Sequence, residues 1–126
     1  LNQRKNITQE EIIRDALELA DLLDNKKAKD ISVLDVSGQT PIADVFVIVS
    51  AESFIHSKAL EDYSEDFLDM RGYKRLNGSN VFPENPWILL DYGEIIVHVF
   101  LDKARDYYQL EKLWYDAKQL YQGGES

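Results

Sequence analysis

Between Trp87 and Leu101 two β-rich runs, Trp-Ile-Leu-Leu-Asp and Glu-Ile-Ile-Val-His-Val-Phe-Leu, flank the dipeptide Tyr92-Gly93. So short a connection can only reverse the chain, and Gly93 can take the positive φ that a tight hairpin turn requires. A two-residue turn at Tyr92-Gly93 pairs Asp91 with Glu94, Leu89 with Ile96 and Trp87 with His98. Side chains alternate along a strand, so these residues share one face with Phe100. The opposite face carries Ile88, Leu90, Ile95, Val97, Val99 and Leu101, an aliphatic core surface. The first face mixes aromatic and aliphatic groups with two carboxylates and a histidine. Two readings of it stay open: a partner surface with aromatic anchors ringed by charge, or a second core layer with a polar end.

The rest of the chain supplies what such a hairpin needs for packing. Thr8 and Glu11 form a capping box, with Ile7 and Ile12 as a hydrophobic staple. Ile12, Ala16, Leu19, Ala20 and Leu23 follow at helical spacing, widened by Ile13 and Leu17. Ile31–Val36 reads as a strand, Ser37–Pro41 as a turn, and the apolar run Ala43–Ser50 as a central strand antiparallel to the first. Ser53 caps a second helix running to about Arg71, with a stripe of Ile55, Ala59, Tyr63, Phe67 and Met70, widened by Leu60 and Leu68. Gly72 stops it. Tyr73–Leu76 reads as a short strand and Asn77–Pro86 as a mobile loop.

After the hairpin, Asp102 caps a third helix with a stripe of Tyr107, Leu110, Trp114, Ala117 and Tyr121, flanked by Leu113 and Leu120. The order α-β-β-α-β-β-β-α is an α+β fold, a mixed sheet with helices packed on it. One domain over residues 1–126 is expected, frayed at 1–6 and 122–126.

Composition narrows the function classes. The net charge is −9, and the longest basic cluster is Lys26-Lys27-Ala28-Lys29. Sequence-specific nucleic-acid binding, which needs a basic footprint, is not expected; attraction to a basic protein is. The absence of cysteine removes disulfides and thiol chemistry. No apolar run reaches membrane-span length and no signal peptide is recognised, so a cytoplasmic protein is expected; the start at Leu1 leaves room for a short leader.

No catalytic or metal constellation emerges. His56 and His98 are the only histidines and lack ligand spacing. His98, in an apolar strand, reads as a hydrogen-bonded core histidine. Asp35, Asp44 and Asp91 stand at strand ends or turns and could hold magnesium only as a pair. Gly78-Ser79 is not followed by two acids alternating on a strand, as nucleotidyl transfer on such a sheet needs. No metal, no cofactor and no enzymatic activity are therefore expected. A divergent nucleotide- or metal-binding nucleotidyltransferase-like enzyme is the alternative.

Four blocks in order resemble one family: Lys27–Ile31, Ile42–Ile48, Trp87–Gly93 with Val97–Phe100, and Tyr108–Trp114. Together they resemble the ribosomal silencing factor (Iojap) family over about Ile12 to Ala117. The chain departs from that pattern at Ala51, where glycine is common, and at Phe54-Ile55, where a polar or basic residue is usual. The resemblance implies a nucleotidyltransferase-like α+β fold without catalysis, and a capacity for homodimers. It also implies binding to the fourteenth protein of the large ribosomal subunit, where the bound domain blocks joining of the small subunit. On that reading Trp87, Leu89, Asp91, Tyr92, Glu94, Ile96 and His98 form the contact, Tyr92 at its tip, with Arg105 and Tyr108 added from the third helix.

Overall fold

In the computed structural model, which describes residues 7–79, 83 and 85–124, nine elements follow one another. They are α1 (Gln9–Asn25), β1 (Lys29–Asp35), β2 (Val45–Ala51), α2 (Phe54–Met70), β3 (Trp87–Asp91), β4 (Ile95–Leu101), α3 (Asp102–Tyr108), α4 (Leu110–Leu113) and β5 (Lys118–Gly123). The strands form one sheet in the order β3-β4-β2-β1-β5. β2 and β4 run parallel at its centre, and the other pairs are antiparallel. The mixed α+β class is as expected; the element order is not. Residues 1–6 and 125–126, expected to fray, lie outside the described residues, as do 80–82 and 84 of the expected mobile loop.

α1 starts where its capping box places it. Thr8 Oγ1 accepts from the Glu11 amide, and the Glu11 carboxylate accepts from the Thr8 amide, at 3.1 and 2.9 Å. The stripe from Ile12 to Leu23 is buried against one face of the sheet, where Ile31, Val33, Val45, Val47, Val49, Ile88, Leu90, Ile95, Val97 and Val99 meet it.

α2 shares that face but turns differently from its apolar spacing. Its buried positions are Ser57, Leu60, Glu61, Ser64 and Leu68. Ile55 is 80 % exposed and Met70 88 % exposed, so both leave the expected stripe. The serines satisfy themselves on their own helix, Ser57 Oγ donating to the Phe54 carbonyl and Ser64 Oγ to that of Leu60. Their small size lets α2 lie close, an advantage no apolar-spacing rule registers. Its end is a Schellman motif: Gly72, at φ 89°, and Tyr73 donate amides to the carbonyls of Asp69 and Leu68.

Tyr73–Leu76 is not a strand. Tyr73 is buried and donates its hydroxyl to Asp15 of α1. The following residues run along the outer side of β3, where the Leu76 amide bonds the Asp91 carbonyl at 2.7 Å. The Asn77 amide side chain completes the edge, donating to the Leu89 carbonyl and accepting from the Asp91 amide. A side chain here does the work of a ladder, so no β pattern marks it.

The expected long C-terminal helix is the largest correction. Leu101, not Asp102, is the N-cap, and it makes no side-chain cap. The helix stops at Tyr108 because Gln109 turns left-handed at φ 49°. After the single turn of α4, the chain becomes β5 and pairs antiparallel with β1. Gln122 and Gly123 therefore lie in a strand rather than a frayed tail. Without β5, the backbone groups along that side of β1 would lie open; β5 pairs them.

Candidate functional site

The second face of the sheet is where the sequence placed its mixed chemistry. The hairpin pairs Trp87 with Phe100, Leu89 with His98 and Asp91 with Ile96. Its turn is Gly93-Glu94, one residue later than expected, closed by the Tyr92 amide donating to the Ile95 carbonyl at 2.9 Å. The new register shifts each partner by two residues, which preserves the faces. Phe46 and Ile48 of β2 and Leu34 of β1 continue the same surface, alongside Val36 just beyond β1.

Burial then separates two groups. Ile96, His98 and Phe100 are sealed beneath Ala104, Leu110 and the half-buried Trp114. Trp87 and Leu89 are only half-buried at the margin of that layer. The face is thus both things at once: a second core layer inward, and an apolar margin outward. Trp87 stacks on Phe100 with ring centroids 4.9 Å apart and lies 4.9 Å from Tyr108, which is partly exposed. Phe46 meets His98 and Trp114 edge-on at 4.7 and 5.3 Å. Aromatic contacts in these arrangements hold the margin rigid.

His98 fixes Trp87. The indole Nε1–H donates to His98 Nδ1 at 3.1 Å, so the imidazole carries its proton on Nε2, which has no partner among the described residues. Burial, with the nearby Arg105 charge adding to it, lowers the His98 pKa to about 3, so the ring is neutral. His98 is therefore a supporting group, not a surface contact.

Two further expected contacts are corrected. Tyr92 is 2 % exposed. Even-numbered residues of β3 face α1 and α2, and Tyr92 continues that alternation beyond Leu90, so it points into the first core. Its hydroxyl lacks a partner among the described residues, and burial pushes the phenol's pKa up. Arg105 is also buried, because the early end of α3 folds Glu111 back over it. Its Nε donates to both Glu111 carboxylate oxygens at 3.2 and 3.1 Å, Nη2 pairs with the same group, and Nη1 donates to Ser50 Oγ at 2.8 Å. Burial pushes the Glu111 carboxyl up, but the Arg105 bonds and charge bring it below the usual range.

The acidic members sit at the other end of β3, about 13 Å from Trp87 at strand rise. Asp91 accepts from the Gly93 amide at 2.9 Å, and Glu94 follows in the turn. Asp44 stands beside them, its amide bonded to the Glu94 carbonyl. Burial, then the charges of Glu94 and Asp35, raises the Asp44 pKa. Asp35 is occupied by the Ser37 amide and hydroxyl. His56 bridges helices instead, Nε2 lying 2.9 Å from the Lys26 carbonyl and Nδ1 accepting from the Glu52 amide. Among the described residues no group of three or more His, Asp or Glu side chains could hold a metal ion, and no helix is long and apolar enough to cross a membrane.

Sequence reasoning missed the exposure of Tyr107, which extends the margin outward through Tyr108, and of Leu113 and Tyr115 further along the chain. Tyr107, Leu113 and Tyr115 are 81 %, 75 % and 79 % exposed. Tyr107 packs edge-on against Tyr108 at 5.1 Å. The available signal was the density of tyrosine and leucine in 107–115, more than one helical stripe can bury.

Comparison with known proteins places this arrangement. The family model described as ribosomal silencing factor during starvation matches residues 9–125. The ribosomal silencing factor of Bacillus subtilis is 41 % identical over 96 residues, 75 % of this chain and 79 % of that protein. A mouse protein named for mitochondrial assembly of the ribosomal large subunit is 33 % identical over 101 residues, 76 % of this chain and 43 % of that one. A crystal structure of a Chromobacterium violaceum protein superposes with a TM-score of 0.73 at 32 % identity, covering 86 % of this chain and 87 % of that one. With the match running from the start of α1 past the end of β5, the chain belongs to the ribosomal silencing factor family.

Proposed function

We propose that this protein binds the large ribosomal subunit through its fourteenth protein and, by its bulk at the face that meets the small subunit, prevents the subunits from joining. The observation that carries the reading is the half-buried Trp87–Leu89 margin, held rigid by His98 and Phe100 and extended outward by Tyr107 and Tyr108. A preorganised aromatic anchor with apolar neighbours is the usual centre of a protein interface. Asp91 and Glu94 at the far end of the same face, on a chain of net charge −9, suit a Lys- and Arg-bearing partner. Membership in a family of ribosomal silencing factors, and the mouse relative's name, support the large subunit as the target. Steric exclusion needs no reaction, cofactor or metal, and the site of action is the cytoplasm.

The test is sedimentation of the protein with isolated large subunits, followed by addition of small subunits. Co-sedimentation and a reduced yield of joined ribosomes are expected. Trp87→Ala should weaken binding by ~1–3 kcal/mol while circular dichroism shows a retained fold. Binding unchanged in that variant, or no co-sedimentation at all, overturns the reading.

A further inference from the structure

The second core layer ends in a polar corner. Alternation puts Ser50 of β2 and Ser32 of β1 on the same face as Phe46, Ile48 and Leu34, and both serines are buried. Two hydroxyls at the end of an apolar row must be met by polar groups from the segment that covers them. Arg105 and Glu111 meet them. Arg105 Nη1 donates to Ser50 Oγ at 2.8 Å, and Ser32 Oγ donates to the Glu111 carboxylate at 3.4 Å. Between the two, Arg105 Nε reaches both carboxylate oxygens and Nη2 joins it.

The spacing of this pair is unusual. Residues six apart in a continuous α-helix lie about 9 Å apart along the axis and about 120° apart around it. Arg105 and Glu111 therefore meet only across the left-handed turn at Gln109. The same turn ends α3 at Tyr108, whose ring lies against Trp87 and Phe100, and carries Leu110 and Trp114 onward over the second core. Little apolar burial fixes it: from Asp102 to Leu113 only Ala104, Arg105 and Leu110 are buried. The N-cap of α3 adds no side-chain bond. A buried ion pair adds little net stability over an apolar pair of similar volume, but its forked bonds admit few arrangements.

We propose that Arg105 and Glu111 are positioning residues for docking: latched onto Ser50 and Ser32, they hold the break at Gln109 that stands Tyr108 against Trp87. The proposal rests on the reading of the Trp87 margin as the docking surface. Arg105 then serves that surface from inside the fold, through the rings of Tyr108 and Trp87.

The test uses the full chain and isolated large subunits. Arg105→Met with Glu111→Leu replaces the pair at similar volume and leaves the net charge at −9, so long-range attraction is unchanged. The urea midpoint is expected to stay near that of the native protein. NOEs between the Trp87 and Tyr108 rings are expected to disappear, and affinity for large subunits to fall about tenfold. In a Trp87→Ala background the same replacement is expected to cost about threefold or less, because the pair acts through that ring. Glu111→Gln keeps the shape and removes the charge. It is expected to lower affinity more than Asp106→Asn, which changes the net charge equally at an exposed position. Ring contacts retained or affinity unchanged in the double variant overturns the proposal, and so does an equal loss in both backgrounds. If the double variant does not fold, the comparison of Glu111→Gln with Asp106→Asn decides, and equal affinities there overturn it. A fold lost in Glu111→Gln as well makes the pair structural and overturns it too. Native protein that binds no large subunit overturns the docking reading itself, and this proposal with it.

Discussion

His98 shows how one side chain can serve both core and surface. As a neutral acceptor it orients Trp87; as a buried base it makes the fold acid-sensitive. Its folded pKa lies below the unfolded value of 6.5, so the unfolded chain takes up the proton first. Its contribution is full above pH 6.5 and is lost as pH falls toward 3, at about 1.4 kcal/mol per pH unit in that window. Urea denaturation at pH 7 and pH 5 should show a loss of about 2 kcal/mol from this group. His98→Gln, which keeps an acceptor but does not titrate there, should show a correspondingly smaller loss. Tyr92 makes the converse case. Tyr92→Phe removes an unpartnered buried hydroxyl and should leave stability unchanged or raise it by up to about 1 kcal/mol, without altering large-subunit binding. A binding defect in that variant would restore Tyr92 to the contact from which its burial removes it.

Between elements, polar contacts decide what apolar spacing leaves undecided. Asp15 of α1 is buried and holds Arg71 Nη1 and the Tyr73 hydroxyl, each at 2.7 Å, tying the first helix to the end of the second. Asp15→Ala should cost about 2–4 kcal/mol by chemical denaturation, from the loss of two charge-assisted hydrogen bonds to a buried carboxylate. At the α3–α4 break, Gln109 holds a left-handed conformation that costs most residues free energy, so Gln109→Gly should stabilise by about 0.5–1 kcal/mol in the same assay.

These contacts also mark what could be read in advance. Thr8–Glu11, Ser53, Gly72 and the alternation of the hairpin carry local rules, and α1, α2, both central strands and the two hairpin faces follow from them. The Asn77 edge, the serine face of α2 and the turn at Gln109 depend on neighbours distant in the chain. So does the burial of Arg105, since only the folded-back Glu111 removes it from the surface. Trp87 and Leu89 could be found from alternation; their half-exposure depends on where α3 stops.

At the scale of the molecule, the sheet is covered unequally. Two long helices seal one face, while two short ones cover part of the other and leave the Trp87 margin at one side and a polar cleft beside β5 at the other. The charge of −9 acts over this whole surface. Raising potassium chloride from 50 to 300 mM should slow association with large subunits several-fold in stopped-flow mixing, because steering is screened beyond a Debye length. Trp87→Ala should act instead on dissociation. An association rate insensitive to salt would remove charge from the docking argument.

The pairing of Ile31 with Gly123 has a temporal meaning as well. The strand that closes the sheet is drawn from the final residues of the match, and its partner is the first strand made. During synthesis, β1 must wait with one flank bare until Lys118–Gly123 has been made. A nascent chain that stops short of Lys118 therefore holds four strands of the sheet and lacks the one that covers the outer side of β1.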